Sequence, residues 1–165
     1  MNDLLHNLIE SLREELKQYG EMLALLDQQQ TLVMRRQTGD LPQSVVVVNA
    51  QVEIIAAARS EREQFQRNLA RELQLPEAAG FNDITPLLPA DYRPLVQALV
   101  DENNELLARV QQRARQNHLM LSHALELMQQ LINSMFPGAA PKTYDQAGHV
   151  PAFPFPHNSL YEAVG

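Results

Sequence analysis

The chain has 165 residues, 45% hydrophobic and 5% aromatic, with a net charge of −7 and neither cysteine nor tryptophan. This length and composition predict one folded domain, and an apolar content made mostly of leucine, alanine, valine and methionine favours packed helices over a β-sandwich. The acidic charge disfavours a nucleic-acid partner, because proteins that bind phosphate backbones usually carry a basic surface. The absence of cysteine excludes disulfides and thiolate metal sites, and is compatible with a cytoplasmic location.

Membrane insertion is not expected from the apolar runs. No run approaches the 18 residues that a spanning helix needs. The first residues, Met1 to Asp3, lack the positive charge that begins a signal peptide. We therefore expect neither a spanning helix nor a signal peptide.

Proline and glycine, the strongest helix breakers, divide the chain into three long stretches and a different C-terminal part. We predict an all-α fold, an elongated antiparallel three-helix bundle or coiled coil formed by residues 1–136 with helices at about 3–38, 41–74 and 92–136. Residues 137–165 hold five of the ten prolines and are predicted to form a flexible, extended tail. The oligomeric state stays open between a closed bundle, a homodimer and a helix exchanged between protomers.

The first two predicted helices show the usual boundary signals. Apolar residues recur every three or four positions in the first helix, which we expect to end at Gly39. Asp40 then fits the N-cap of the second helix, with Pro42 in its first turn. The valine run at 45–48 could form a strand, but the sequence offers no partner strand, and the flanking residues keep helical spacing.

Charged residues between the apolar positions are expected to face solvent. These are the acidic pairs Glu14–Glu15 and Asp101–Glu102 and the charged run at 59–63. The connector at 76–94 is irregular, with one short helical turn at 83–88 whose leucines are expected to close the end of the bundle.

The third predicted helix carries the clearest periodicity. Its apolar stripe alternates spacings of three and four, and consists of Val96, Val100, Asn103, Leu107, Val110, Ala114, Asn117, Leu121, Ala124, Met128, Leu131 and Met135. Asn103 and Asn117 are the polar members, two heptads apart. Either they fix the alignment of the helices, or they contact a bound partner helix.

The late part of the third helix has more apolar residues than a partner helix obviously covers. Methionine and leucine cluster there, and methionine adapts well to a groove that receives another helix. The pattern does not decide between core packing and partner binding for this cluster.

No pattern predicts catalysis or a cofactor. His118 and His123 lie five residues apart, so they face different sides of a helix, and neither an HExxH nor a Glu-x-x-His motif occurs. Nucleophile elbows and phosphate-binding glycine loops are also absent from the sequence. We therefore predict a protein that is not an enzyme and uses no cofactor or metal.

The order of segments resembles the FlgN-type flagellar export chaperones. A leucine-rich first helix ends at Gly39-Asp40, a charged second helix follows, and a long third helix contains Arg115-Gln116-Asn117 ahead of a Leu/Met-rich stretch. A short Pro-Gly linker then leads to the segment at 143–148, Thr-Tyr-Asp-Gln-Ala-Gly. The resemblance covers most of residues 3–148.

This resemblance implies a cytoplasmic chaperone of the flagellar type III secretion system. Such proteins hold hook-associated proteins by their amphipathic C-terminal segments and deliver them to the export gate. Carried over, client contact would fall on Asn117, Leu121, Leu125, Met128, Leu131, Ile132, Met135 and Phe136, and gate docking on Tyr144. The alternative is a structural coiled-coil scaffold or adaptor without a chaperone role.

Overall fold

The computed structural model describes residues 2–135, and every regular element among them is helical. The elements are α1 (Asn2–Met34), a 3₁₀ turn (Thr38–Asp40), α2 (Leu41–Glu72), α3 (Phe81–Ile84), a second 3₁₀ turn (Thr85–Leu87) and α4 (Arg93–Met135). The all-α prediction is confirmed. The predicted tail, 137–165, lies outside the described residues.

Helix α1 makes the extensive contacts with both other long helices, and α2 runs antiparallel to it. The Gln51 side chain donates to the backbone oxygen of Gln18 at 3.1 Å and to its Oε1 at 2.7 Å. Further along α1, Gln29 Nε2 donates to Ser44 Oγ at 3.3 Å. Each of these amides has a hydrogen-bond partner on the facing helix, so polar groups are accommodated inside the α1–α2 contact.

Helix α4 runs parallel to α1, and two asparagines hold the pair in register. Asn103 Nδ2 donates to the backbone oxygen of Leu12 at 3.0 Å, and Asn117 Nδ2 donates to that of Leu26 at 2.7 Å. The two residues of each pair are 91 positions apart. The helices therefore keep one alignment over this length, as expected if the asparagines control register.

Two apolar clusters fill the space among the long helices. The first includes Leu5 and Leu8, and the connector closes it with Phe81, Ile84 and Leu88. The second is centred on Tyr19, Met22, Leu26, Val48 and Val110. The connector thus closes one end of the molecule, although the neighbouring Leu87, which was expected to take part, is exposed because the 3₁₀ turn directs it outward.

Two charged side chains lie in the core, where the sequence predicted solvated faces. Glu15 is fully buried and Arg62 is 3% exposed, and Arg62 Nε lies 3.0 Å from Glu15 Oε2. The Tyr19 hydroxyl donates to the other carboxylate oxygen at 2.8 Å. The prediction was wrong for these residues because α1 is covered by two helices, so its buried face is wider than its leucine stripe.

The end of α1 comes earlier than the predicted Gly39. Gln37 N–H donates to the Leu32 oxygen at 3.0 Å, and Arg36 N–H donates to the Val33 oxygen at 3.1 Å. This is the Schellman arrangement, and Arg36 takes its left-handed position with a φ of 57°. An arginine therefore occupies the position where a glycine was expected.

The start of α2 follows the predicted signals in part. Asp40 is at the N-cap and Pro42 is in the first turn, but the Asp40 side chain makes no capping hydrogen bond. The valine run at 45–48 is helical.

By length and composition alone, α2 could cross a membrane, although the apolar runs of the sequence predicted no such segment. Only 17% of its apolar window is buried. In the structure α2 packs along α1, and polar residues such as Gln51 lie in that contact.

We expect the variant Arg62→Met to lower the free energy of unfolding by about 3–5 kcal/mol, because it leaves the Glu15 carboxylate buried without its cation. Adding Glu15→Gln should recover at least half of this loss, since a neutral amide can still accept from Tyr19. Urea unfolding followed by circular dichroism measures both. A double variant no more stable than Arg62→Met alone would contradict a role for the buried charge.

We expect Gly20→Ala to raise the free energy of unfolding by up to about 1 kcal/mol, because alanine has the higher helix propensity. An added Cβ would meet only Leu106 Cδ2, at 4.0 Å, which is an ordinary contact. Thermal unfolding of the two proteins provides the measurement, and a lower midpoint in the variant would show that the α1–α4 contact is tighter than the structure indicates.

Candidate partner-binding surface

Helix α4 extends beyond the end of α1. The constant offset of 91 between paired residues places Met34, the last residue of α1, opposite Leu125. Since α4 continues to Met135, its last ten residues extend about 15 Å further without α1 beside them.

The face of α4 that packs on α1 stays apolar throughout this extension. The buried residues of that face are Val96, Leu99, Val100, Asn103, Val110 and Asn117. Positions three or four residues further along a helix lie on the same face. Here they are Leu125, Met128, Leu131, Ile132 and Met135, between 42% and 67% exposed, which we name the exposed stripe.

The exposed stripe is free of charge. The only acidic residue between 106 and 135 is Glu126, which lies on the other side of the helix, 3.6 Å from His123 Nδ1. Contiguous exposed apolar surface of this kind marks an interaction site in proteins. The arrangement is suited to bind a second apolar helix and offers no group for chemistry.

The remaining predicted site residues are placed differently. Asn117 is buried, and its amide binds α1 through Leu26 and Gln29, so it belongs to the α1–α4 contact and not to the exposed stripe. Leu121 is half-buried and marks the transition to the stripe. Phe136 and Tyr144 lie outside the described residues.

The base of the extension is anchored by Asn117, which the sequence singled out, and by polar partners that the sequence did not indicate. Asn117 Nδ2 donates to Gln29 Oε1 at 3.1 Å, and Gln29 in turn donates to Ser44, so one glutamine joins all three long helices. Nearby, Arg113 Nε lies 2.8 Å from Asp27 Oδ1. Such contacts join residues far apart in sequence, and the stripe pattern gives no signal for them.

Metal-binding geometry is lacking in the described part of the chain: residues 2–135 contain no group of three or more histidine, aspartate and glutamate side chains able to hold an ion.

Comparison with known proteins identifies a family for nearly the whole chain. Residues 1–152 match the FlgN protein family, which comprises flagellar export chaperones and is not a family of enzymes. Comparison with the curated proteins and with the solved structures gave no match. Because the family match extends from α1 through α4, we conclude that the chain belongs to the FlgN family.

Proposed function

We propose that this chaperone binds flagellar hook–filament junction proteins, the hook-associated proteins, through the C-terminal part of α4. It then delivers them to the flagellar type III export apparatus from the cytoplasm. The observation that supports this proposal is the exposed stripe, an apolar helix face that the helices described within residues 2–135 leave uncovered.

A client segment that is itself an amphipathic helix fits this surface. Burying apolar area contributes about 25 cal/mol per Å², from which the cost of ordering both segments is subtracted. Such binding removes the aggregation-prone face of the client from water and remains reversible. The contacts among the three long helices hold the base of α4, from which the stripe extends towards the client.

Docking at the export gate is assigned to Tyr144 by resemblance to the family. This residue follows α4 in the sequence, after a short linker that contains Pro137 and Gly138. Client binding and gate docking would then use neighbouring but separate parts of the chain.

We expect Leu131→Asp to weaken the Kd for the C-terminal segment of a hook-associated protein at least tenfold, and addition of Leu125→Asp to abolish binding. Client binding would bury the aspartate, and the loss of its hydration opposes binding. Both leucines are exposed in the free protein, so the helix content should stay unchanged. Isothermal titration calorimetry and circular dichroism measure the two effects.

The matched control is Leu119→Asp. Leu119 has the same exposure as Leu131, 59%, but two residues after the buried Asn117 it lies on the opposite side of α4. This variant should bind the client as the unaltered protein does. Equal loss in Leu119→Asp and Leu131→Asp, or no loss in either, would contradict the exposed stripe as the client site.

We also expect backbone amides after Leu121 to exchange hydrogen quickly in the free protein, because a helix without tertiary contacts is marginal in water. Amides between Val96 and Asn117 should exchange slowly. Adding the client segment should slow the exchange of the amides after Leu121. Hydrogen exchange followed by mass spectrometry reports both, and unchanged exchange after Leu121 in the complex would place the client elsewhere.

A further inference from the structure

The charges of α4 change sign along its length. Acidic residues occur up to Glu105, and the next one is Glu126. Between them lie Arg109, Arg113 and Arg115. In a chain with a net charge of −7, this part of α4, which leads into the exposed stripe, is locally basic.

Several cations have no acidic partner among residues 2–135. Ion pairs in this range engage Arg13, Lys17, Arg59, Arg62, Arg67, Arg71, Arg113 and His123. The exposed arginines outside those pairs are Arg35, Arg36, Arg93, Arg109 and Arg115. Arg93 lies at the opposite end of the molecule, where its Nε donates to the Leu88 oxygen at 2.7 Å. Arg35 and Arg36 are therefore the unpaired cations at the end where α1 stops.

Arg35 and Arg36, which we name the cationic tip, lie nearest to the exposed stripe. They follow directly after Met34, which the register places opposite Leu125, the first residue of the stripe. The hydrogen bonds that cap α1 hold their backbone, with Arg36 in the left-handed conformation. A helix bound to the stripe would thus meet two positive charges, carried on a held backbone, at the end that faces α1.

Resting on the proposed function of the stripe, we propose that the partner helix carries carboxylates at its end next to α1, and that the cationic tip binds them. In the reverse orientation the carboxylates would lie at the C-terminal end of α4, where residues 124–135 contain no lysine or arginine. Only one orientation therefore brings the apolar face and the carboxylates of the partner into favourable contact at the same time. The apolar stripe supplies most of the affinity, and the cationic tip sets the direction and register of the bound helix.

The probes that test this are three labelled amphipathic peptides of about five helical turns, with one shared leucine face and a polar face of glutamine and alanine. The first ends in two glutamates with an amidated terminus, the second in two glutamines with a free carboxylate, and the third in two glutamines with an amidated terminus. Fluorescence anisotropy gives the Kd of each for the full chain. The first two distinguish side-chain from terminal carboxylates.

We expect at least one carboxylate peptide to bind about three- to tenfold more tightly than the neutral peptide, as exposed ion pairs allow. This preference should disappear at about 1 M salt, where charges are screened within ~3 Å. It should also disappear in Arg35→Gln/Arg36→Gly and persist in Arg35→Lys/Arg36→Lys. Equal binding of all three peptides at low salt would overturn the proposal.

The change Arg36→Gly needs a control for its effect on the backbone, because glycine favours the left-handed conformation that Arg36 adopts. Gln74 ends α2 in the same arrangement with a φ of 58°, far from the stripe in sequence, so Gln74→Gly repeats the backbone change without altering charge. This variant should keep the preference for carboxylates. Its loss there would show that backbone effects, and not the cations of the tip, are responsible.

The variant Leu131→Asp separates this proposal from the proposed function. It should weaken binding of all three peptides, the neutral one included. If it does so while the charge preference is absent, only the cationic tip is refuted. Unchanged binding in Leu131→Asp, or no binding to the unaltered chain, refutes the stripe and the tip together. Sedimentation of a dimer that Leu131→Asp dissociates would show a second copy as the occupant and would also overturn the proposal.

Discussion

The parallel register of α1 and α4 is the constraint on which the rest of the structure depends. Asn103 and Asn117 each donate to a backbone oxygen of α1 at the same offset. A slip of one residue would break both of these buried hydrogen bonds to α1, and Asn103 would keep only its bond to the Leu99 oxygen within α4. Because the register is fixed, the additional length of α4 falls at one end, and its apolar face continues there without a covering helix from the part of the chain that the structure describes.

The central position of α1 explains why this small protein keeps polar groups in its core. A helix covered on two sides must bury residues that lie between its leucines, and in α1 these include Glu15 and Gln18. Each is matched from α2, Glu15 by Arg62 and Gln18 by Gln51. Polar pairing thus aligns α2 with α1, as the asparagines align α4 with α1. At the base of the extension, Gln29 of α1 bonds both to Asn117 of α4 and to Ser44 of α2.

The sequence predicts the positions of the helices well. It predicts poorly which parts of a helix face are buried by a neighbouring helix, and the reason is physical. Spacing by threes and fours defines a face, and Val110 and Met128 occupy the same face of α4, yet the first is buried and the second is exposed. Which part of a face is covered depends on the length and alignment of its neighbour, and the local pattern contains neither. Likewise Glu15 and Arg62, 47 residues apart, resemble solvated charges until the fold brings them together.

The lack of support for the end of α4 is itself suited to an export chaperone. A stripe on a rigid, fully packed helix would bind a client tightly, whereas a helix beyond its neighbours must be ordered when the client arrives. That ordering opposes the gain from burial and lowers affinity without reducing the contact area. A client bound as proposed would be covered over a long apolar face and could still be released, because the fixed register leaves the end of α4 without α1 beside it, while its base is held by Asn117, Gln29 and Arg113.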